Sequence, residues 1–212
     1  MGIQILPPDI NHGMYGFSVD NGAIRYALSA IKSIGRPVIE GIVREREEHG
    51  EYTSLKTFVE RNIDQINKRV VENLIKAGAL DCLEGNRKQK MTIYTQIIDS
   101  INQDKKHTMA GQLSLFDIAS EEDKKEFEIR MPQVEEYPKE IILTFEKEVL
   151  GIYLSGHPLE RYRNMMEKMI SAKTSDFQPD DETGIPEVYD NQKVIVGGMI
   201  TDKTIKYTKN NK

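Results

Sequence analysis

The chain has 212 residues, 38% of them hydrophobic and 30% charged, so it can bury a core while leaving long stretches in water. It has no 18-residue apolar run, which excludes a membrane span, and its one cysteine excludes a disulfide framework. Because no secretory signal is visible either, the chain is predicted to be cytoplasmic. Residues 23–106 carry 15 basic and 12 acidic side chains, whereas residues 107–190 carry 9 basic and 19 acidic ones. The mildly basic block is therefore either a nucleic-acid contact or a solvated face.

The first 22 residues are predicted to be an irregular lead-in outside any core. Residues 3–19 are rich in proline, glycine and asparagine, and the pair Pro7-Pro8 favours extended backbone. The segment therefore resembles the end of a preceding domain, and the first folded domain is expected to begin at residue 23.

Residues 23–101 are predicted to form two helix–turn–helix units joined by a connector. The first unit joins a short apolar arm over residues 23–31 to a helix that begins near Pro37. The second unit has a helix that Asn67 caps and Gly78 ends, and a longer amphipathic helix follows it.

A candidate phosphate-binding hairpin lies between the two arms of the first unit. Its residues follow the hydrophobic-x-Gly-hydrophobic-Gly pattern of a helix-hairpin-helix motif, except that Ser33 stands where the first glycine is usual. Backbone N–H groups of such a hairpin bind DNA phosphate without reading bases, and glycine lets the backbone come close to the phosphate oxygen. The alternative is a simple helical turn. The candidate DNA-binding residues are Lys32, Ser33, Ile34, Gly35 and Arg36.

A second and more degenerate hairpin is predicted around Gly78. Basic residues follow it at the start of the next helix, and tandem units of this kind pack on each other as one compact domain. The hairpin would therefore extend the same sequence-independent contact with duplex DNA. Its candidate DNA-binding residues are Lys76, Gly78, Arg87 and Lys88.

Residues 102–138 lose the helical periodicity and are predicted to be a flexible acidic linker. The linker contains one apolar group, of the form Gln-Leu-Ser-Leu-Phe, by which bacterial replication proteins hold the sliding clamp. The leucine and phenylalanine side chains would fill an apolar cleft, and the glutamine amide would bond at its rim. The alternative is a piece of buried core. The candidate clamp-binding residues are Gln112, Leu113, Ser114, Leu115 and Phe116.

Residues 139–189 are predicted to be a helical connector. Helices are expected over 139–153 and 159–170, and the carboxylates of Glu146 and Glu148 are expected on the solvated surface. A loop that is rich in proline and glycine ends the connector.

The last residues are predicted to begin a β domain. Residues 193–200 are apolar and β-branched, which indicates a strand, and a second strand is expected around 204–208. Two strands do not form a stable sheet alone, so residues 190–212 are expected to be the incomplete start of that domain.

Taken in this order, the segments resemble the bacterial DNA polymerase III alpha subunit, the DnaE-type replicative polymerase. The resemblance implies a mainly α fold: a tandem helix-hairpin-helix domain, a clamp-binding linker, short helices and the first strands of an OB-fold. Ser33 in place of glycine is the departure from the family pattern. The segments that carry the resemblance are residues 6–11, 24–35, 67–81, 112–116 and 146–159.

The resemblance implies that the chain holds double-stranded DNA and tethers the polymerase to the beta sliding clamp, with other replisome subunits as partners of the longer protein. The catalytic carboxylates of the family and their Mg²⁺ lie in an upstream palm domain, so neither enzyme activity nor a cofactor is expected of this fragment. One cysteine and four scattered histidines are not expected to form a metal site. The alternatives are a scaffold whose helices hold another subunit and not DNA, and a PolC-type polymerase, which places its clamp peptide at the extreme C-terminus.

Overall fold

A computed structural model describes residues 3–109, 129–180 and 183–205 of the chain. The chain divides into two compact units, Met1–Gly156 and His157–Lys212. The first unit contains a small sheet and most of the helices, whereas the second is largely irregular. Among the described residues, no helix combines the length and the apolar character that a membrane crossing requires.

The first unit begins with a three-stranded sheet. The central strand β3 (Ala23–Arg25) pairs in parallel with β1 (Ile5–Leu6) and antiparallel with β2 (Ser18–Asp20). The apolar arm predicted over residues 23–31 is therefore not an α-helix, because its first residues hydrogen-bond to strands on both sides. A single 3₁₀ turn, Leu28–Ala30, follows β3.

The prediction that the first 22 residues lie outside the core is wrong. The Ile10 side chain is completely buried, and its backbone N–H donates to the Ala79 carbonyl oxygen at 3.0 Å. Asn11 and Tyr52 exchange two hydrogen bonds of 2.9 Å, which fix this segment against the region before the second helix. Residues 10–12 form a turn after the two prolines, and a segment without helix or strand can still pack.

The described residues contain six α-helices: α1 (Arg36–His49), α2 (Leu55–Asn62), α3 (Lys68–Ala77), α4 (Arg87–Met109), α5 (Lys139–Leu150) and α6 (Arg163–Met169). The predicted ends of α3 are confirmed. The Asn67 Oδ1 atom accepts from the Val70 N–H at 3.0 Å, and Gly78 ends the helix in the left-handed conformation. Pro37 lies in the first turn of α1, where its missing N–H removes no helical bond.

The core of the first unit is built around α3, which packs against both α4 and α5. Val71 and Ile75 of α3 are completely buried, and α5 adds Val149 and Leu150 to the same cluster. Burial of each such side chain contributes about 1.5–3 kcal/mol. Thus α5, which was predicted to lie in a connector, is a structural part of the first unit.

The predicted linker over residues 102–138 is ordered at both described ends. α4 continues to Met109, because Ile101 is buried and Lys105 Nζ lies 2.7 Å from Asp64 Oδ2 on the neighbouring segment. Residues 129–138 have no regular secondary structure and are bonded to the start of α4 through Glu136. Residues 110–128 lie outside the described part of the chain.

In the second unit, α6 lies within the predicted helix but is shorter. The strand predicted over residues 193–200 does not form, and the described residues of the second predicted strand, 204 and 205, are also irregular. A strand needs a partner along its length, and within the described residues the backbone of this segment bonds only at Ile195, to Ser171 and Ala172. Its apolar side chains Val196 and Ile200 are exposed.

Candidate nucleic-acid interface

The first predicted hairpin is a loop that follows the buried Ile31 and leads into α1 at Arg36, with Lys32, Ser33 and Gly35 exposed. Ser33 has a φ of 64°, in the left-handed region, which costs a residue other than glycine about 1–2 kcal/mol. Gly35 has a φ of −74°, and a Cβ placed on it would meet only the Pro37 Cδ at 3.7 Å, an ordinary contact. The loop therefore requires glycine-like backbone at position 33, where this chain has serine, and not at position 35.

The start of α1 is open to an anion. Gly35 is the N-cap and has no side chain to cap the helix, and the first turn has no acidic residue. Among the described residues, none accepts a hydrogen bond from the backbone N–H groups of Gly35 and Arg36. Free N–H groups and the positive end of the helix dipole favour a bound anion. The Arg36 side chain is exposed and donates from Nε to Glu40 Oε1 at 2.8 Å.

Two side chains of helix α3 hydrogen-bond to this loop. Asn73 is buried and donates from Nδ2 to the Lys32 carbonyl oxygen at 2.8 Å. One turn earlier, the exposed Arg69 donates from Nη2 to the Ser33 Oγ at 3.1 Å. Two side chains four residues apart thus hold the first hairpin against the helix that begins the second.

Lys32, a predicted DNA contact, is directed toward α5. Its backbone N–H donates to the Val149 carbonyl oxygen at 2.9 Å, and its Nζ donates to the Glu148 carbonyl oxygen at 2.8 Å. These carbonyls belong to the last turn of α5, where a cation is favoured. In this arrangement the Lys32 ammonium fastens the hairpin to α5.

The second predicted hairpin is closed. Gly78 is buried and left-handed, with a φ of 79°, and a Cβ there would collide with the Arg87 guanidinium. Arg87 is itself 6% exposed. Its Nη2 lies 2.7 Å from Asp81 Oδ2, and its Nη1 lies 3.5 Å from Glu146 Oε1. Burial disfavours the charged form, but these carboxylates outweigh it and raise the Arg87 pKa. Gly78 and Arg87 are therefore buried parts of the packing of this hairpin, and the Arg87 charge is paired within the protein.

Lys76 and Lys88, the other predicted contacts of the second hairpin, are also engaged within the protein. Lys76 Nζ lies 2.9 Å from Glu72 Oε1 and 2.8 Å from Glu148 Oε1. Partial burial opposes the charged form, but hydrogen bonds to the two carboxylates outweigh it and raise the pKa of Lys76. The Lys88 ammonium lies 5.8 Å from the centre of the Tyr137 ring.

The N-terminus of α4, where a second phosphate would be expected, holds a carboxylate of the chain itself. Glu136 accepts from the Arg87 N–H at 2.8 Å and from the Lys88 N–H at 3.1 Å. In the same segment, the Val134 and Pro132 carbonyl oxygens accept from the side chains of Asn86 and Gln89 at the start of α4. Of the two hairpins, the first leaves its helix start open and the second has its helix start occupied.

The sequence analysis did not predict the contacts of four side chains that hold the two hairpins and the core around them. Arg69 lies 36 residues from the hairpin that it contacts. Glu136 is in a segment without periodicity. Glu146 was expected at the surface, yet it is 1% exposed, because it pairs with Arg87 and accepts from two backbone N–H groups after α5. Lys90 is buried against the Leu83 and Gly85 carbonyl oxygens, and burial lowers its pKa. No local signal in the sequence indicates these roles.

Two other candidates are the predicted clamp-binding peptide and a group of possible metal ligands. The clamp-binding residues Gln112, Leu113, Ser114, Leu115 and Phe116 lie outside the described residues. In the described part, Glu45, Glu48 and His49 come together with a spacing that could hold a metal ion. The Glu45 Oε1 already lies 3.1 Å from both Arg61 Nε and His49 Nδ1, which are the contacts of a surface ion-pair cluster.

Comparison with known proteins places this geometry in context. The helix-hairpin-helix motif family matches residues 2–90. The chain is 35% identical over 211 residues to the DNA polymerase III subunit alpha of Vibrio cholerae, covering 99% of this chain and 17% of that protein. It is 36% identical over 180 residues to that of Chlamydia pneumoniae (84% of this chain, 14% of that protein). It is 35% identical over 182 residues to that of Escherichia coli (84% and 16%). The chain thus spans less than a fifth of the length of these relatives.

Proposed function

Because the chain is homologous over nearly its whole length to a segment of bacterial DNA polymerase III alpha subunits, we propose that it binds duplex DNA for a replicative polymerase. The match to the helix-hairpin-helix family supports contact with the phosphate backbone. Nucleotide transfer is proposed to take place in the other parts of the longer protein, as the family resemblance implies.

The observation that carries this proposal is the open start of α1 behind the first hairpin. Among the described residues, none accepts from the N–H groups of Gly35 and Arg36, and both residues are exposed. Such a site binds a phosphate oxygen by hydrogen bonds that any base sequence can satisfy, so binding is independent of sequence. In this proposal the contact is made by residues 33–36, while Lys32, Lys76 and Arg87 hold the hairpins in place.

We expect the full chain to bind two duplexes of unrelated sequence equally and to release both as salt rises. Each phosphate neutralised should contribute about −0.9 to the slope of log affinity against log salt. Replacing Arg36 with glutamine should weaken binding by about threefold to tenfold, because an exposed cation next to the site is lost. Fluorescence anisotropy with labelled duplexes at several salt concentrations measures both effects.

The matched control is Lys56→Gln, which removes a similarly exposed cation that pairs with Glu60 on a different helix, α2. This variant should bind duplex DNA within about twofold of the unmodified chain, since exposed ion pairs contribute little. Equal loss in both variants would assign binding to net charge and not to the hairpin. No binding to either duplex at low salt would favour the alternative, a scaffold that holds another subunit.

We also propose that residues 112–116 tether the chain to the sliding clamp. The proposal is supported by the sequence alone: an isolated group of Gln, Leu and Phe between acidic stretches has the side chains of a small peptide that fills an apolar cleft. A clamp that encircles DNA would keep the polymerase at high effective concentration, so a weak contact is sufficient.

A further inference from the structure

Arg69 is an exposed cation that lies beside the first hairpin and contacts Ser33. Among the described residues, no carboxylate oxygen lies within 4.0 Å of its guanidinium, whereas Arg36 is paired with one carboxylate and Arg87 with two. In the described part of the chain, its hydrogen-bond partner is neutral, the Ser33 Oγ at 3.1 Å. A guanidinium has five N–H donors, so most of the Arg69 donors remain available to an anion.

The position of Arg69 is held firmly by its helix. Val70 and Val71, the next two residues of α3, are buried in the core, and Asn73 holds the Lys32 carbonyl of the same loop. The backbone of Arg69 is therefore fixed relative to the hairpin. A cation held at a defined place loses little freedom when it binds, which favours a specific contact over general attraction.

Ser33 has the chemistry to connect Arg69 to a ligand. Its hydroxyl oxygen accepts from Arg69, and its own proton remains available to donate. Glycine would suit the left-handed backbone at this position better, but it would remove the hydroxyl. The hydroxyl and the guanidinium are in contact and both residues are exposed, as are Gly35 and Arg36, whose N–H groups have no acceptor among the described residues.

We propose that Arg69 and Ser33 together form a phosphate clamp, in which both side chains bind one backbone phosphate of duplex nucleic acid at the first hairpin. This inference rests on the proposed function and adds a residue from a different helix to the hairpin. The serine at position 33 then replaces the usual glycine with a hydroxyl that orients Arg69 and contributes a hydrogen bond of its own.

The test is a duplex titration of the full chain with Arg69→Gln, Arg69→Lys, Ser33→Gly and the control Lys68→Gln. Lys68 is the neighbouring cation on α3, and it is paired with Asp99 at 2.8 Å. Arg69→Gln should weaken binding by about tenfold and reduce the salt slope by about 0.9, while Lys68→Gln should change affinity by less than about twofold. Arg69→Lys should restore part of the affinity, because it keeps the charge and loses the planar fork.

Ser33→Gly separates a binding role from a structural one. It relieves the left-handed backbone, so the thermal unfolding midpoint should be unchanged or higher, yet affinity should fall by about threefold. If the unmodified chain binds duplex DNA and Arg69→Gln changes the affinity no more than Lys68→Gln does, the proposed phosphate contact of Arg69 and Ser33 is overturned. The proposed function, duplex binding, then stands. If the Ser33→Gly variant binds duplex DNA as tightly as the unmodified chain, the proposed phosphate contact of Arg69 and Ser33 is overturned as well. If the unmodified chain fails to bind duplex at low salt, both proposals are overturned.

Discussion

Replacing Gly78 with alanine is expected to lower the free energy of unfolding of the first unit by about 3–5 kcal/mol, because two penalties combine. Alanine in the left-handed conformation is strained, and its Cβ would collide with the buried Arg87 guanidinium. Moving Arg87 would weaken its pairs with Asp81 and Glu146 and leave buried charge without a partner. Small domains have about 5–15 kcal/mol of stability in total, so much of it would be lost.

The matched control for this prediction is Gly151→Ala. Gly151 ends α5 with the same φ of 79° and a similar left-handed backbone, but a Cβ there would meet nothing within 4 Å. The control should therefore carry only the conformational penalty, about 1–2 kcal/mol. Urea unfolding followed by circular dichroism measures both variants. Equal losses would show that Arg87 adjusts freely and that the second hairpin is not closed by its ion pairs.

Replacing Leu115 and Phe116 together with alanine is expected to abolish detectable binding to the sliding clamp. Aliphatic and aromatic anchors carry most of the energy of a small interface, so their loss should remove several kcal/mol, on the order of a thousandfold or more in affinity. In a polymerase that contains this chain, the rate per nucleotide should stay unchanged while processivity on clamp-loaded templates falls, since only the tether is lost.

Clamp pull-down and surface plasmon resonance with purified clamp measure the binding loss, and product-length analysis measures processivity. Ser114→Ala is the matched control in the same peptide, because its small polar side chain is expected to add only a minor contact. Full clamp binding by the double variant would show that the peptide was wrongly assigned. The DNA affinity of the isolated chain should be the same in both variants, which separates the tether from the hairpin.

Helix positions and helix ends follow largely from the sequence alone. Asn67 caps α3, Gly78 ends it, and Pro37 lies in the first turn of α1, as the residues predict. These features depend on interactions between residues at most four positions apart, such as a side-chain cap on a nearby N–H. The resemblance to the polymerase family also rests on local segments in order, and the comparisons confirm it.

Predictions that required contacts between distant segments were the ones that failed. Ile10 was expected in an irregular lead-in, but its N–H bonds to Ala79 and its side chain completes the core. Glu146 was expected in water, but Arg87, 59 residues earlier in the chain, draws it into the interior. The strand predicted over residues 193–200 has β-forming side chains and lacks a partner among the described residues.

The sequence by itself predicted two hairpins and determined that basic residues accompany each of them. Only the tertiary structure decided which hairpin is open. The second is closed because Glu136 binds the start of α4 and Arg87 fills the space beside Gly78. The first is open because, among the described residues, none accepts from the Gly35 and Arg36 N–H groups and Lys32 turns toward α5. A local pattern specifies the backbone of a turn, but access to that turn depends on side chains from segments that only packing brings together.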